Sequence, residues 1–344
     1  FIFKNHDNND EHAPFYEEDS FDSINKEADN FSDVGTDYLP CRQNEQDEIY
    51  NFITRGLQTN GNYGSLYIAG MPGTGKTASV RTVINILESQ IDRTRKTRNI
   101  NPNFMENRIT PFQKLIICGM DYSNIVTVFK TIYNFIFAKR KSQNEVTKYI
   151  QALDDFFKER KKYDSSNYLN DPTNSHIVLV IDEIDILLNK SQNLLYNIFN
   201  WTTYVNSKLI IISISNTFDL PNKLLPKVQS RMGGFNKLMF KPYTKDELFI
   251  ILKSKGIDTQ NFTSDALRIS CLKVASLNGD LRRTFQILSK AKEIAELENK
   301  NKKGEVKLID KVHIIKACND LFRSRNSNII KSLHLSENII LISI

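Results

Sequence analysis

Eight residues constrain this 344-residue chain more than any others: Gly70-Met71-Pro72-Gly73-Thr74-Gly75-Lys76-Thr77. They match G-x-x-x-x-G-K-[ST]. They lie between a short apolar run, Ser65–Ala69, and a helical pattern over Thr77–Ile91. A strand that passes through a Gly-rich turn into a helix has a specific physical use. Glycines let backbone N–H groups curl round phosphate oxygens, and the helix points its positive end at the same anion. In such a loop Lys76 reaches the β- and γ-phosphates, and the Thr77 hydroxyl can ligate Mg²⁺. The segment Gly70–Ala78 is therefore expected to hold a nucleotide's phosphates.

The second half of such a site is legible about a hundred residues later. Ile177–Ile181 is five apolar residues in a row, ended by Asp182-Glu183. A run like this suits a strand buried on both faces of a parallel sheet. Its C-terminal end is where α/β sheets bind ligands. Asp182 is expected to hold Mg²⁺ through its water shell, and Glu183 to orient and polarise an attacking water. Asp185 completes D-E-x-D and reads as a structural or partner contact. Asn216 closes the strand Leu209–Ser215; in this context its amide can position the water or touch the γ-phosphate. Arg231 after Ser230, and Arg282-Arg283 after Gly279-Asp280, are surface arginines by default. An arginine is nonetheless the natural partner for charge spread over a γ-phosphate.

Other patterns complete an α/β unit. Ile49, Ile53 and Leu57 predict a helix over Gln46–Leu57. Leu115–Cys118, Leu209–Ile214 and Leu238–Phe240 read as strands, and Ile125–Phe137 and Leu187–Phe199 as helices. Strands alternating with helices argue for a parallel sheet flanked by helices. Residues 92–113 carry Arg93, Arg95, Lys96, Arg98 and Arg108 and read as a basic loop, longer than a usual connection. The charged stretch Lys139–Lys162 and the polar Asp164–Ser175 receive no regular element. After Pro242 the character changes. Thr244 and Glu247 form a T-x-x-E capping box that opens a helix at Lys245. Helical patterns then run to Phe322, with breaks near Gly256–Thr259, Asn278–Gly279 and Asn299–Gly304.

The net charge of +6 hides an asymmetry. Residues 1–34 hold ten acidic and two basic side chains, a net of −8, so the other 310 residues carry +14. The acidic stretch has no periodic apolar face and reads as a mostly disordered tail. The basic remainder suits contacts to a phosphate backbone. The four cysteines, Cys41, Cys118, Cys271 and Cys318, contain no CxxC pair and form neither a disulfide framework nor a zinc set. No apolar run approaches the ~20 residues of a membrane span, so no membrane partner is expected. The chain begins at Phe1 rather than Met and is read as a fragment. Four regions result: 1–34, an acidic tail; 35–241, the α/β nucleotide-binding domain; 242–325, a small all-α domain; and 326–344, the truncated start of another.

GMPGTGKT, VIDEID, ISNT, SRMG and GDLRR occur here in the order found in AAA+ ATPases of the initiator group. Leu39-Pro-Cys-Arg-Gln, Tyr196-Asn-Ile-Phe-Asn-Trp201 and Lys241-Pro-Tyr-Thr244 are similar to strings of the largest-subunit branch (subunit one) of the eukaryotic origin recognition complex. The resemblance covers residues 38–322 and fades into an apparent winged-helix start at 329–344. It implies an ATP- and Mg²⁺-dependent ATPase acting in DNA replication in the nucleus. Other subunits of the complex, a replication loading factor and double-stranded DNA would be its partners. Under the resemblance Asn216 matches the first sensor, and Arg282 the second sensor, on a helical lid. Arg231 matches an arginine that faces a neighbouring subunit's nucleotide, and Pro40 and Tyr243 lie where the family packs round adenine. The helix Ile125–Phe137 falls where initiators carry an extra helix beside DNA. The resemblance also implies a partner's arginine at this site, and hence slow hydrolysis by the chain alone. The pattern departs from the family at Leu281, where a small residue is usual, and in the inserted basic loop at 92–113. Two alternatives remain: the related cell-division-cycle loading factor, and a nucleotide-dependent structural module without turnover. Glu183 argues against the second, because a pure binder needs no water-polarising acid.

Overall fold

Apolar runs of strand length need neighbours on both faces, and five of them supply one another in the computed structural model. It describes residues 38–59, 64–100, 109–137, 146–159, 175–190, 192–218, 225–231, 236–255, 261–300 and 308–322. The acidic tail and the segment 326–344 lie outside those residues. The strands are β1 (Ser65–Gly70), β2 (Phe112–Cys118), β3 (His176–Asp182), β4 (Leu209–Ser215) and β5 (Asn236–Phe240). They form one parallel sheet in the order β2-β3-β4-β1-β5. The register pairs Ala69 with Ser215, Gly70 with Phe240 and Ile181 with Ser213. The C-terminal ends of β1, β3 and β4 therefore reach the same edge, where the loop and the acidic pair begin.

The period of two along each strand assigns its residues to two cores. Leu66 and Ile68 of β1, with Val178, Val180, Ile210 and Ile212, face α1 (Gln43–Gln58) and α2 (Lys76–Ile100) through Ile49, Ile53, Val80 and Leu87. Tyr67 and Ala69, with Leu179, Ile181 and Ile211, face the other way. There they meet α3 (Ile125–Phe137), α4 (Val146–Lys158), α5 (Ile184–Lys190) and α6 (Gln192–Trp201). Trp201 anchors that side: it stacks on Phe157 at 5.0 Å and meets the edge of Phe129 at 6.2 Å. Each fully buried side chain of this size contributes about 1.5–3 kcal/mol of transfer free energy.

A third core belongs to the C-terminal helices: α8 (Lys245–Ser254), α9 (Ser264–Leu277), α10 (Leu281–Lys300) and α11 (Lys311–Phe322), with α7 (Pro226–Arg231) in the preceding unit. Leu248, Leu267, Val274, Ile287 and Ile314 pack together there. The capping box forms as the sequence predicts: Thr244 Oγ1 accepts from Glu247 N, and Thr244 N donates to Glu247 Oε2 at 2.8 Å. No described helix is long and apolar enough to cross a membrane.

Three expectations change. The basic loop 92–113 begins as helix, because α2 runs on to Ile100; residues 101–108 lie outside the described residues. Strand β2 starts at Phe112 rather than Leu115. It is an edge strand, half-covered, so Gln113 and Lys114 are tolerated there, and Lys114 pairs with Glu88 at 2.6 Å. Most of the charged stretch 139–162 is helix α4, whose Tyr149, Leu153 and Phe157 recur every four residues and are buried.

Candidate nucleotide-binding site

The loop after β1 is held open by its own chemistry. Gly73 and Gly75 have φ of +75° and +90°, which a side chain would strain. Lys76 folds back beneath them: its ammonium donates to Gly70 O at 2.9 Å, Met71 O at 2.8 Å and Asn216 Oδ1 at 3.0 Å. Thr77 Oγ1 donates to Asp182 Oδ2 at 2.8 Å, joining segments 105 residues apart in sequence. Lys76, Thr77, Asp182 and Asn216 thus meet at the C-terminal edge of three neighbouring strands. Pro72 and Ala78 are exposed at the rim of the loop.

Burial of Lys76 lowers its pKa to about 8, with Asp182 partly opposing the shift. The three acceptors it holds are all neutral, so the buried ammonium lacks an anionic hydrogen-bond partner among the described residues. Glu183 has φ +52°, an uncommon backbone for a residue with a side chain, and donates its N–H to Asp182 Oδ1 at 3.0 Å. Its pKa is raised, first by burial, then by the charges of Asp182 and Asp185, with Arg282 opposing. Glu183 Oε2 is buried with no hydrogen-bond partner among the described residues, and so is Asp185 Oδ1. A cation under a backbone cradle, beside a hydroxyl and a carboxylate, fits a phosphate chain with Mg²⁺, a metal that takes hard oxygen donors.

The C-terminal helices close on the same loop. A Cβ on Gly75 would lie 2.5 Å from the Tyr243 hydroxyl, and one on Gly73 would lie 1.6 Å from Asp280 Oδ1. Leu281 N donates to Gly73 O at 3.3 Å. The Tyr243 ring carries the Arg42 guanidinium at 4.0 Å. Arg42, itself buried, donates to Thr74 O at 3.1 Å, Lys241 O at 2.5 Å and Glu45 Oε1 at 2.8 Å. It therefore ties the loop to the chain leaving β5. Sequence reasoning noted the string around Arg42 but gave this residue no role. Pro40 is half-buried two residues before it. Arg282 is 65% exposed and rests on Asp280, with Nε at 3.3 Å and Nη2 at 3.4 Å. Arg231 belongs to a different neighbourhood: it is exposed at the end of α7, 5.9 Å over the Tyr196 ring.

This loop, strand-end acid and helical cap define a class, and comparison with known families agrees. Residues 66–242 match the model of the ATPase family associated with various cellular activities, and residues 243–299 match the Cdc6/ORC-like ATPase lid domain. The chain belongs to this AAA ATPase family, with a lid of the Cdc6/ORC-like type. Its particular likeness is to origin recognition complex subunit 1. It is 35% identical to that protein of Plasmodium falciparum over 302 residues, 88% of this chain and 22% of the relative. To that of Dictyostelium discoideum it is 36% identical over 299 residues, 87% of this chain and 44% of the relative. The chain thus spans less than half the length of these relatives. Among solved structures, Drosophila ORC bound to DNA superposes with a TM-score of 0.68 at 27% identity, covering 98% of this chain and 76% of that one.

Proposed function

We propose that the chain is the ATP-binding and ATP-hydrolysing part of an origin recognition complex subunit that initiates DNA replication. The observation that carries the reading is the junction of Thr77 with Asp182 at 2.8 Å beside Lys76 with Asn216 at 3.0 Å. It supports one triphosphate lying across both segments. Thr77 and Asp182 would hold Mg²⁺, which when bound neutralises charge on the β- and γ-phosphates. Lys76 would give its ammonium to the phosphates, and Glu183 would orient and polarise the attacking water. Asn216 would fix that water or the γ-phosphate, and Arg282 would reach the γ-phosphate from the lid. Tyr243, with Pro40, would border the base.

ATP then acts chiefly as an assembly switch, binding the sheet domain to the lid. Arg231, on a surface apart from the loop, would serve a neighbouring subunit's nucleotide, and a partner's arginine would complete this one. The basic character of residues 35–344 supports sequence-blind contacts to the phosphates of double-stranded DNA that weaken with salt. Other complex subunits and the replication loading factor are the proposed protein partners, in the nucleus. The names of the curated relatives favour the complex subunit over the loading factor itself.

Single-turnover hydrolysis of ATP, by the chain alone and with partner subunits, tests the reading. Turnover should be slow alone and faster in the assembly. Glu183→Gln should retain ATP and cut turnover by about a hundredfold or more. Wild-type turnover in that variant would refute the assignment.

A further inference from the structure

Arg282 can read a γ-phosphate only if something fixes it relative to the loop. The lid is a separate layer with its own core, so the sheet does not position it directly. Its guanidinium is 65% exposed, and an exposed arginine left alone samples many rotamers. One residue addresses both problems. Asp280 Oδ1 accepts from Arg282 N at 3.0 Å and from Arg282 Nε at 3.3 Å, and Oδ2 accepts from Nη2 at 3.4 Å. The same carboxylate lies where a Gly73 side chain would be, 1.6 Å from its Cβ position. The next residue, Leu281, donates its N–H to Gly73 O at 3.3 Å.

We infer that Asp280 is a positioning residue that sets how strongly the site prefers ATP over ADP. It grips one edge of the guanidinium, the Nε–Nη2 side, and leaves Nη1 outside the grip. It also seats that grip directly on Gly73 of the phosphate loop. The arginine is thus registered against the loop before nucleotide arrives. A group held in place loses less freedom when it meets the γ-phosphate, so the interaction strengthens where ATP and ADP differ. Asp280 also caps α10 through Arg282 N, but a cap alone would support ATP and ADP equally. Leu281, the position that departs from the small residue usual in the family, takes part in the clasp through its backbone, and its side chain packs against the core of the C-terminal helices.

The inference rests on the reading of Arg282 above, and the test separates the two. ATP and ADP affinities are measured with Mg²⁺ on the full chain carrying Asp280→Asn, Asp280→Ser or Arg282→Ala, and on the Asp280→Asn/Arg282→Ala double variant. Asn and Ser both keep a helix cap, and neither pairs with the guanidinium as a carboxylate does. Both should lower the ratio of ATP to ADP affinity about three- to tenfold. In the Arg282→Ala background Asp280→Asn should have no further effect on the ratio. Parallel losses of ATP and ADP would reduce Asp280 to a structural clasp and overturn the inference. An unchanged ratio in both Asp280 variants, with a lowered ratio in Arg282→Ala, would overturn it while sparing the reading of Arg282. An unchanged ratio in Arg282→Ala would bring down both.

Discussion

Titrating Lys76 tests the phosphate site through its own charge. Its pKa in the free chain is pushed down to about 8 by burial, against an ordinary 10.5. The ammonium is then about 10% neutral at pH 7, about 50% at pH 8 and about 90% at pH 9. A triphosphate against it restores the charged form and the ordinary pKa. Binding should therefore take up about 0.1 proton at pH 7, about 0.5 at pH 8 and about 0.9 at pH 9, and affinity should fall about tenfold between pH 7 and 9. Calorimetry of Mg²⁺-ATP binding in buffers of different ionisation enthalpy measures the uptake directly. Stability without nucleotide should move the opposite way. Below pH 8 the folded chain holds a charged, buried lysine, which lowers its stability. Between pH 8 and 10.5 the unfolded chain binds more protons than the folded one, so stability rises with pH. Lys76→Arg, always charged, should abolish the uptake. Proton uptake that stays flat from pH 7 to 9 in the wild type would refute the argument.

Gly73→Ala should cost about 1–3 kcal/mol from its backbone alone, because the residue has φ +75°. Its methyl must also displace Asp280, so nucleotide titration should show a weakened ATP site alongside the lowered urea midpoint. Trp201→Ala should cost about 3–5 kcal/mol in chemical denaturation, since the indole is fully buried between Phe157 and Phe129. Glu183→Gln should melt higher than wild type at pH 7. Burial and neighbouring acids raise the folded pKa of Glu183 above 4.5, so its ionised form destabilises the chain at neutral pH. That advantage should shrink as pH falls toward 4.5; a lower melting temperature at pH 7 would contradict it.

The parts of the site that were legible in the sequence share a physical cause. Gly70–Thr77 and Ile177–Glu183 are local strings whose composition follows from where they must sit, at strand ends in a parallel sheet. The strand runs and the Thr244–Glu247 cap were readable for the same reason. Helix α4 is not, because its spaced apolar residues Tyr149, Leu153 and Phe157 lie in a stretch, 139–162, in which half the residues are charged. The end of α2 is not legible either, because a run of basic residues from Arg93 suits a solvated helix as readily as a loop. The roles of Arg42 and Asp280 depend on groups brought from 32 and more than 200 residues away. No spacing rule reports such contacts. In the Tyr196–Trp201 string, which carries part of the family resemblance, Trp201 is a core anchor and Tyr196 carries Arg231.

A structure of the chain with ATP and Mg²⁺ is the most direct measurement. The metal is expected within about 2.1 Å of Thr77 Oγ1, with Asp182 in its water shell and the terminal phosphates against Lys76. A triphosphate seated elsewhere, or a metal that does not contact Thr77 Oγ1, would contradict this.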